Sequence, residues 1–193
     1  MIHEIDQSLK VLITGQALAD GSAEVVFDAP SRDWAARRNS PTIDAYLYDI
    51  REEVSRRERG AAAVRDPAGA VRARRLQPRW FRLSYLVTAW TREPEDEHRL
   101  LSMVLGCLLR NEILPPDTLP PSVAEITGTV PISVAVPAES RSIADIWSAL
   151  GGELKPSLDV VVVTPFPVAP EFPVAPPVTE PAVVDVRDRG LDG

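Results

Sequence analysis

The residues from Arg79 to Leu114 constrain the fold more than any other stretch of this chain. Their sequence, RWFRLSYLVTAWTREPEDEHRLLSMVLGCLLRNEIL, predicts one long strand, a tight acidic turn and one long amphipathic helix. One face of the strand carries Phe81, Leu83, Tyr85, Val87 and Ala89. The other face carries Trp80, Leu86 and Trp90 beside polar residues. Because this second face is too apolar to meet only water, it needs a cover of its own.

The helix that follows has its apolar residues at the helical period, which predicts a broad buried stripe. The stripe consists of Leu100, Leu101, Val104, Leu105, Leu108 and Leu109. Pro94 suits the first helical turn, and Pro115 and Pro116 prevent the helix from continuing. Cys107, the single cysteine, lies among these residues, so we expect a small core side chain rather than a reactive thiol.

The same patterns predict further elements on both sides of this unit. We expect helices at 2–18 and 142–150, the second capped by Ser142, a single helical turn capped by Ser31, and strands at 23–29, 42–51 and 158–164. Residues 123–136 are apolar and β-branched but contain Gly128 and Pro131, so they predict either two short strands or one broken edge strand.

The segment 51–75 differs from the rest because it is rich in arginine. It holds eight arginines against four carboxylates, a net charge of +4 in a chain whose total is −7. It reads as a long loop or extended hairpin between two central strands. Two interpretations remain open: a solvated insertion, or a basic patch that orients an acidic protein partner. In the second interpretation the candidate interface residues are Arg56, Arg57, Arg59, Arg72, Arg74 and Arg75.

From Pro165 onward the chain is dense in proline and repeats the sequence FPVAP at 166–170 and 172–176. Such density favours an extended polyproline II conformation. The segment is either a tail without fixed structure or an arm that docks on a neighbour, and Phe166, Phe172 and Val174 are its candidate contact residues. We therefore expect a domain at 1–166, with 51–75 as an insertion, and an arm at 167–193.

Catalytic and ligand-binding patterns are not evident in this sequence. The two histidines, His3 and His98, have no partners at metal-binding spacing, and neither a phosphate loop nor a nucleophile elbow occurs. Asp44 and Asp49 are five apart on a predicted strand, so we expect them on opposite faces and not as a dyad. The sequence predicts no enzymatic activity, no metal and no cofactor.

Composition also bears on partners and on location. A net charge of −7 argues against a nucleic-acid binder, which needs a positive surface. We find no apolar run of the roughly 20 residues that a membrane-spanning helix requires, and no secretory leader at the N-terminus. We expect a protein that folds in the cytoplasm and meets other proteins.

Several short stretches together resemble one family. They are the F-D-x-P junction at 27–30, the strand PTIDAYLYDIRE at 41–52, the strand YLVTAW at 85–90, and the segment WSALGGELKPSL at 147–158. The chain resembles, over about residues 1–166, the DUF4255 (Pvc16-type) N-terminal domain of the tube-cap, or tail-terminator, proteins of phage-tail-like contractile injection systems.

The resemblance implies a structural protein with a tail-terminator-like α+β fold, in which a single mixed, mostly antiparallel sheet packs with two to three helices. It implies a ring, usually of six copies, on the distal end of the inner tube, where it stops polymerisation and engages the last layer of sheath protein. In such a ring Trp80, Leu86 and Trp90 would face a neighbouring subunit. The alternative is that the helix at 142–151 covers them within the subunit.

Two other functions remain open at this point. The first is a tail-completion or head–tail connector protein of a bacteriophage, which shares the structural role in another particle. The second is a soluble adaptor whose FPVAP repeats are bound in the groove of a partner protein.

Overall fold

The computed structural model describes residues 1–136, 142–167 and 171–175. They form two compact units. The first unit is Met1–Arg59 with Pro78–Val168, and the second is Gly60–Gln77 with Ala169–Gly193. The arginine-rich segment is thus divided, since residues 51–59 belong to the first unit and 60–75 to the second.

The described helices are α1 (Ile2–Gln16), α2 (Arg32–Ala36), α3 (Pro94–Arg110), α4 (Pro121–Ala124) and α5 (Ile143–Ala149). The described strands are β1 (Glu24–Val26), β2 (Thr42–Glu52), β3 (Ala61–Arg65), β4 (Val71–Leu76), β5 (Arg79–Trp90), β6 (Ile132–Val134), β7 (Ser157–Phe166) and β8 (Phe172–Pro173). Two of the helices begin at the predicted serine caps, because the Ser31 and Ser142 hydroxyls accept hydrogen bonds from the backbone N–H groups of Trp34 and Ala144.

The first unit is built on a sheet with the strand order β1-β2-β5-β7-β6. The pair β1 and β2 is parallel, and the other neighbours are antiparallel. This confirms the predicted α+β fold with a mixed, mostly antiparallel sheet. β5 lies at its centre, paired with β2 on one side and β7 on the other.

One face of this sheet carries the hydrophobic core, which α1 and α3 cover. Leu83, Tyr85, Val87 and Ala89 of β5 are all buried there, as the alternation predicted. Cys107 is fully buried, which confirms its place in the core. Leu109, in contrast, is 62% exposed, so the prediction that it belongs to the buried stripe was wrong. The stripe is broader than the surface the sheet offers, and its outer edge faces away from the core.

The opposite face of the sheet is partly covered within the unit. Leu86 has no exposed surface, which corrects the expectation that it faces a neighbouring subunit. At the end of β5, Trp34 of α2 and Trp147 of α5 pack on Trp90, with ring centroids 5.3 Å and 6.3 Å away. At this end the helix at 142–151 does supply a cover, and α2 supplies another.

A β-bulge in β2 changes which side chains share a face. Asp44 lies opposite Thr88 of β5, but the register shifts between Leu47 and Asp49, so that Asp49 lies opposite Ser84. Ser84 and Thr88 are four apart on β5 and therefore point to the same face. The expectation that Asp44 and Asp49 lie on opposite faces was wrong for this reason, although four strand residues still separate the two positions by about 13 Å.

The segment 123–136 also departs from the sequence expectation. Its start lies in α4, which Pro121 opens, and only β6 at its end pairs with β7. The second unit is a small antiparallel sheet with the order β3-β4-β8. β3 and β4 form a hairpin whose turn contains Gly69 at a φ of +86°, a conformation that glycine adopts without strain.

Candidate interaction surfaces

In the first unit, a carboxylate from the same chain neutralises part of the arginine-rich segment. The Nε atoms of Arg57 and Arg79 each donate to Glu52 Oε1 at 2.8 Å. These two guanidinium groups hold the pKa of Glu52 at about 2. The neighbouring Glu53 accepts a hydrogen bond from Arg82 at 3.1 Å. Arg57 is therefore engaged within its own unit rather than free for a partner.

Arg56 and Trp80 form a second local pair in the first unit. The guanidinium carbon of Arg56 lies 4.6 Å from the centre of the Trp80 ring, a cation–π contact. Arg59 is exposed, and within the described residues it makes no hydrogen bond or ion pair. The structure thus brings Arg56 and Trp80 together, and of the three candidate arginines in this unit it leaves Arg59 without a partner among the described residues.

In the second unit, Glu171 lies between two arginines of β4. It forms ion pairs with Arg72, at 3.2 Å, and with Arg75. Arg75 contributes most to lowering the pKa of Glu171. Arg74, in contrast, is exposed and has no ion-pair partner in the described part of the chain.

The register of the second sheet places Arg74 opposite Phe172 and Leu76 opposite Ala61. Arg74, Leu76 and Phe172 therefore share one face, on which Phe172 is 49% and Leu76 41% exposed. Val174 of the same arm is half-buried. The hairpin and the arm together present an apolar and basic surface that a protein partner could cover.

Phe166, the other predicted contact residue of the arm, lies at the end of β7 in the first unit. Its ring packs edge-on against Phe81, with the centroids 5.1 Å apart. Residues 168–170, the end of the first FPVAP copy, lie outside the described residues. The rest of the predicted arm, 176–193, lies outside them as well.

A hollow of about 290 Å³ opens beside the tryptophans of the first unit, lined by residues that include Trp90, Trp147 and Leu154. Leu154 is 66% exposed. Lys155 borders the hollow, with its Nζ 4.1 Å from the Trp90 ring centre and 2.6 Å from Glu97. The sequence expectation included Trp90 as an interface residue, but not the aliphatic rim beside it.

Asp44 is a titratable group whose environment sequence reasoning missed. It is fully buried, and burial followed by the nearby charge of Asp28 raises its pKa to about 8. Asp28 itself accepts hydrogen bonds from Trp34 Nε1 at 2.8 Å and from Arg38 at 3.0 Å. The sequence signal for this burial was a carboxylate within TIDAYL, the otherwise largely apolar start of β2.

None of these groups assembles a recognisable reactive centre. Within the described residues, no group of three or more His, Cys, Asp or Glu side chains is placed to hold a metal ion. His3 and His98 are both exposed. Among the described helices, none combines the length and the apolar character needed to cross a bilayer.

Two solved structures share the fold of this chain. The first is described as the cryo-EM structure of an extracellular contractile injection system, the PVC sheath/tube terminator in the extended state. It has 21% sequence identity and a TM-score of 0.72, and the match covers 100% of this chain and 65% of that one. The second is described as the anti-feeding prophage cap (AFP tube terminating cap), with 20% identity, a TM-score of 0.65, and coverage of 94% and 60%.

This chain therefore spans less than two thirds of the length of either solved chain. No curated protein sequence matches it. The sequence model described as the Pvc16 N-terminal domain matches residues 4–180, far more than half of the chain. The resemblance drawn from the sequence is thus confirmed, and the chain belongs to the Pvc16 N-terminal domain family.

Proposed function

We propose that this protein is a structural cap of a phage-tail-like contractile injection system. In this role a ring of copies is seated on the distal end of the inner tube, ends the growth of tube and sheath, and links the tube to the last sheath layer. The observation that carries the proposal is the fold match to two terminator chains, which extends over 100% and 94% of this chain. Membership of the Pvc16 N-terminal domain family supports it.

The surfaces of the two units suit such a role. Arg59 in the first unit and Arg74 in the second are exposed charges without an ion-pair partner among the described residues, in a chain whose net charge is −7. Charges of this kind orient docking without adding much affinity. Phe172 and Leu76 offer the apolar area that a stable protein contact needs.

We infer a structural rather than an enzymatic role, supported by the description of both solved relatives as terminators or caps. The stoichiometry proposed for the ring is six. In this proposal the ring assembles in the cytoplasm, before any release of the particle.

An assay of tube elongation tests this function directly. Purified inner-tube protein from the same particle is allowed to polymerise, and the chain is added in amounts far below the amount of tube protein. The expected result is an early plateau of light scattering at a tube mass that falls as more chain is added. Elongation that proceeds unchanged at every ratio would contradict the proposal.

A matched pair of charge reversals locates the contact. Arg59→Glu should weaken the arrest of elongation, because Arg59 is a candidate contact residue. Arg37→Glu makes the same change of charge at another exposed arginine, at the end of α2, and should leave the arrest intact. Equal effects of the two variants would show that only net charge matters and that Arg59 is not part of the contact.

A further inference from the structure

The third strand of the second unit comes from the proline-rich arm and is held by few contacts. Phe172 and Pro173 pair with Arg74 and Ala73 of β4. One further backbone hydrogen bond joins the Val174 N–H to the Arg72 carbonyl at 3.2 Å. An edge strand presents free N–H and C=O groups to any extended segment, so this edge of β4 is a docking slot for a strand.

The side chains around the slot define what it accepts. Glu171 forms ion pairs with both Arg72 and Arg75, so the slot recognises a carboxylate immediately before the strand. Pro173 has no N–H, which restricts it to positions where the ladder needs no donor from it. The segment Glu171–Ala175 therefore binds the slot by means of one carboxylate, one aromatic ring and a short run of backbone.

The described contacts bind this segment only lightly. The side chains of Arg72 and Arg75 are 60% and 61% exposed, and exposed ion pairs contribute little because water screens them. Phe172 is 49% exposed, so its ring leaves half of its surface uncovered. A strand with two paired residues and solvent-exposed ion pairs can leave its slot and return without disrupting the β3–β4 hairpin.

We propose that the slot on β4 receives the segment Glu171–Ala175 of a second copy of this chain, so that neighbouring copies are joined by exchanged strands. An exchanged segment makes the same contacts as the original one, so exchange costs little in contact energy. Charge selects the same occupant: in an acidic chain, the Arg72 and Arg75 pair is matched by Glu171 of another copy.

Exchange becomes favourable when copies are held side by side, because the local concentration of arms is then high. The joining of copies into a ring rests on the proposed function. Binding of the segment in the slot of another copy does not, and it can be measured on the chain alone.

Cross-linking of two variants, each with one introduced cysteine, tests the exchange. Arg74 and Phe172 are directly opposed across the ladder, and paired residues of antiparallel strands have Cα atoms about 4.5–5.5 Å apart, within reach of a disulfide. One chain carries Arg74→Cys and the other Phe172→Cys. The native Cys107 is fully buried and should not react. The chains are mixed, incubated together and then oxidised with copper phenanthroline.

The expected result is a covalent heterodimer on a non-reducing gel, since a disulfide between the two variants can form only between copies. A mixture of Ala62→Cys with Phe172→Cys is the matched control. Ala62 is an exposed residue of β3, one strand further from β8, so it reports random collisions. A heterodimer yield no higher than that of the control would overturn the proposal.

Charge reversal adds a second readout. Glu171→Lys in the Phe172→Cys chain should reduce the heterodimer several-fold. Arg72→Glu with Arg75→Glu in the Arg74→Cys chain should restore it, because the ion pairs are then re-formed with reversed charge. If reversal of Glu171 leaves the yield unchanged, the slot does not recognise the carboxylate and the proposal fails. A chain that arrests tube growth but gives no heterodimer would refute the exchange and leave the proposed function standing.

Discussion

Asp44 provides the sharpest test of the structure, because its burial makes folding stability depend on pH. The side chain is fully buried in the first unit, near Asp28. Desolvation is the main cause that raises its pKa from 3.8 to about 8, and repulsion by Asp28 is the second. At neutral pH this carboxyl group therefore keeps its proton in the folded state and loses it in the unfolded state.

The sign of the effect follows from this difference. Below about pH 4 the carboxyl group is neutral in both states, and its contribution to stability is fully present. Above that, the unfolded chain releases the proton first, so the free energy of unfolding falls by about 1.4 kcal/mol per pH unit until the folded pKa near 8 is reached. The ordinary value of 3.8 lies about 3 units below pH 7, so the loss there is about 4 kcal/mol.

Replacement of Asp44 by asparagine removes this titration. A buried amide has a desolvation cost of its own, about 1–3 kcal/mol, so the net gain in stability at pH 7 should be about 2 kcal/mol. For a chain of this size that corresponds to a rise of roughly 4–8 °C in Tm. Below about pH 4 wild-type Asp44 is neutral in both states, so only the desolvation cost of the amide remains and the variant should be about 1–3 kcal/mol less stable than wild type.

Urea unfolding at a series of pH values from about 4 to about 8 measures the difference between wild type and Asp44→Asn. The matched control is Asp33→Asn, which makes the same chemical change at an exposed carboxylate of α2. A difference for Asp44→Asn that stays constant across this range would refute the assignment of a buried, neutral carboxyl group.

Four further substitutions test the packing of the first unit. Leu108→Ala should cost about 2–5 kcal/mol of stability and Leu109→Ala less than about 0.5 kcal/mol, because the two side chains are 2% and 62% exposed. Equal costs in urea unfolding would contradict the orientation of α3. Leu86→Asp should prevent folding, as seen by circular dichroism, and a folded, soluble variant would show that Leu86 lies on a surface. Tyr85→Phe should cost about 1–3 kcal/mol in the same unfolding assay, since it removes the hydroxyl that donates to Asp6 at 2.7 Å, and an unchanged stability would refute that hydrogen bond.

The local elements of this fold could be predicted because their signals are local. The alternation in β5 and the helical period of α3 each place their apolar residues within one element, and serine caps mark where α2 and α5 begin. The burial of Cys107 followed from its position on the helix. These features needed no knowledge of what packs against them.

Features that depend on distant partners could not be predicted. The bulge in β2 changes the register with β5, and nothing in the sequence TIDAYLYDIRE marks the extra residue. The exposure of Leu109 depends on how much surface the sheet offers to α3. The pairing of Phe172 with Arg74 joins residues about a hundred positions apart, so no local pattern in the sequence predicts it.

The interface residues stay a prediction, and the partners that some of them have within the chain could not be foreseen for a related reason. Residue type suggested Arg57, Arg72 and Arg75 as free charges, but Glu52 and Glu171 engage them within the chain. An ion pair between distant positions depends on the fold, and composition cannot reveal it. Family resemblance, in contrast, was spread over many short stretches and was readable without the fold.

The measurement that tests the central claim most directly is electron microscopy of preformed inner tubes incubated with this protein. The expected result is a ring of additional density that closes one end of each tube and leaves the other end open. Rings on both ends in equal number, or protein bound along the tube wall with both ends open, would contradict the proposal that this chain is the terminating cap.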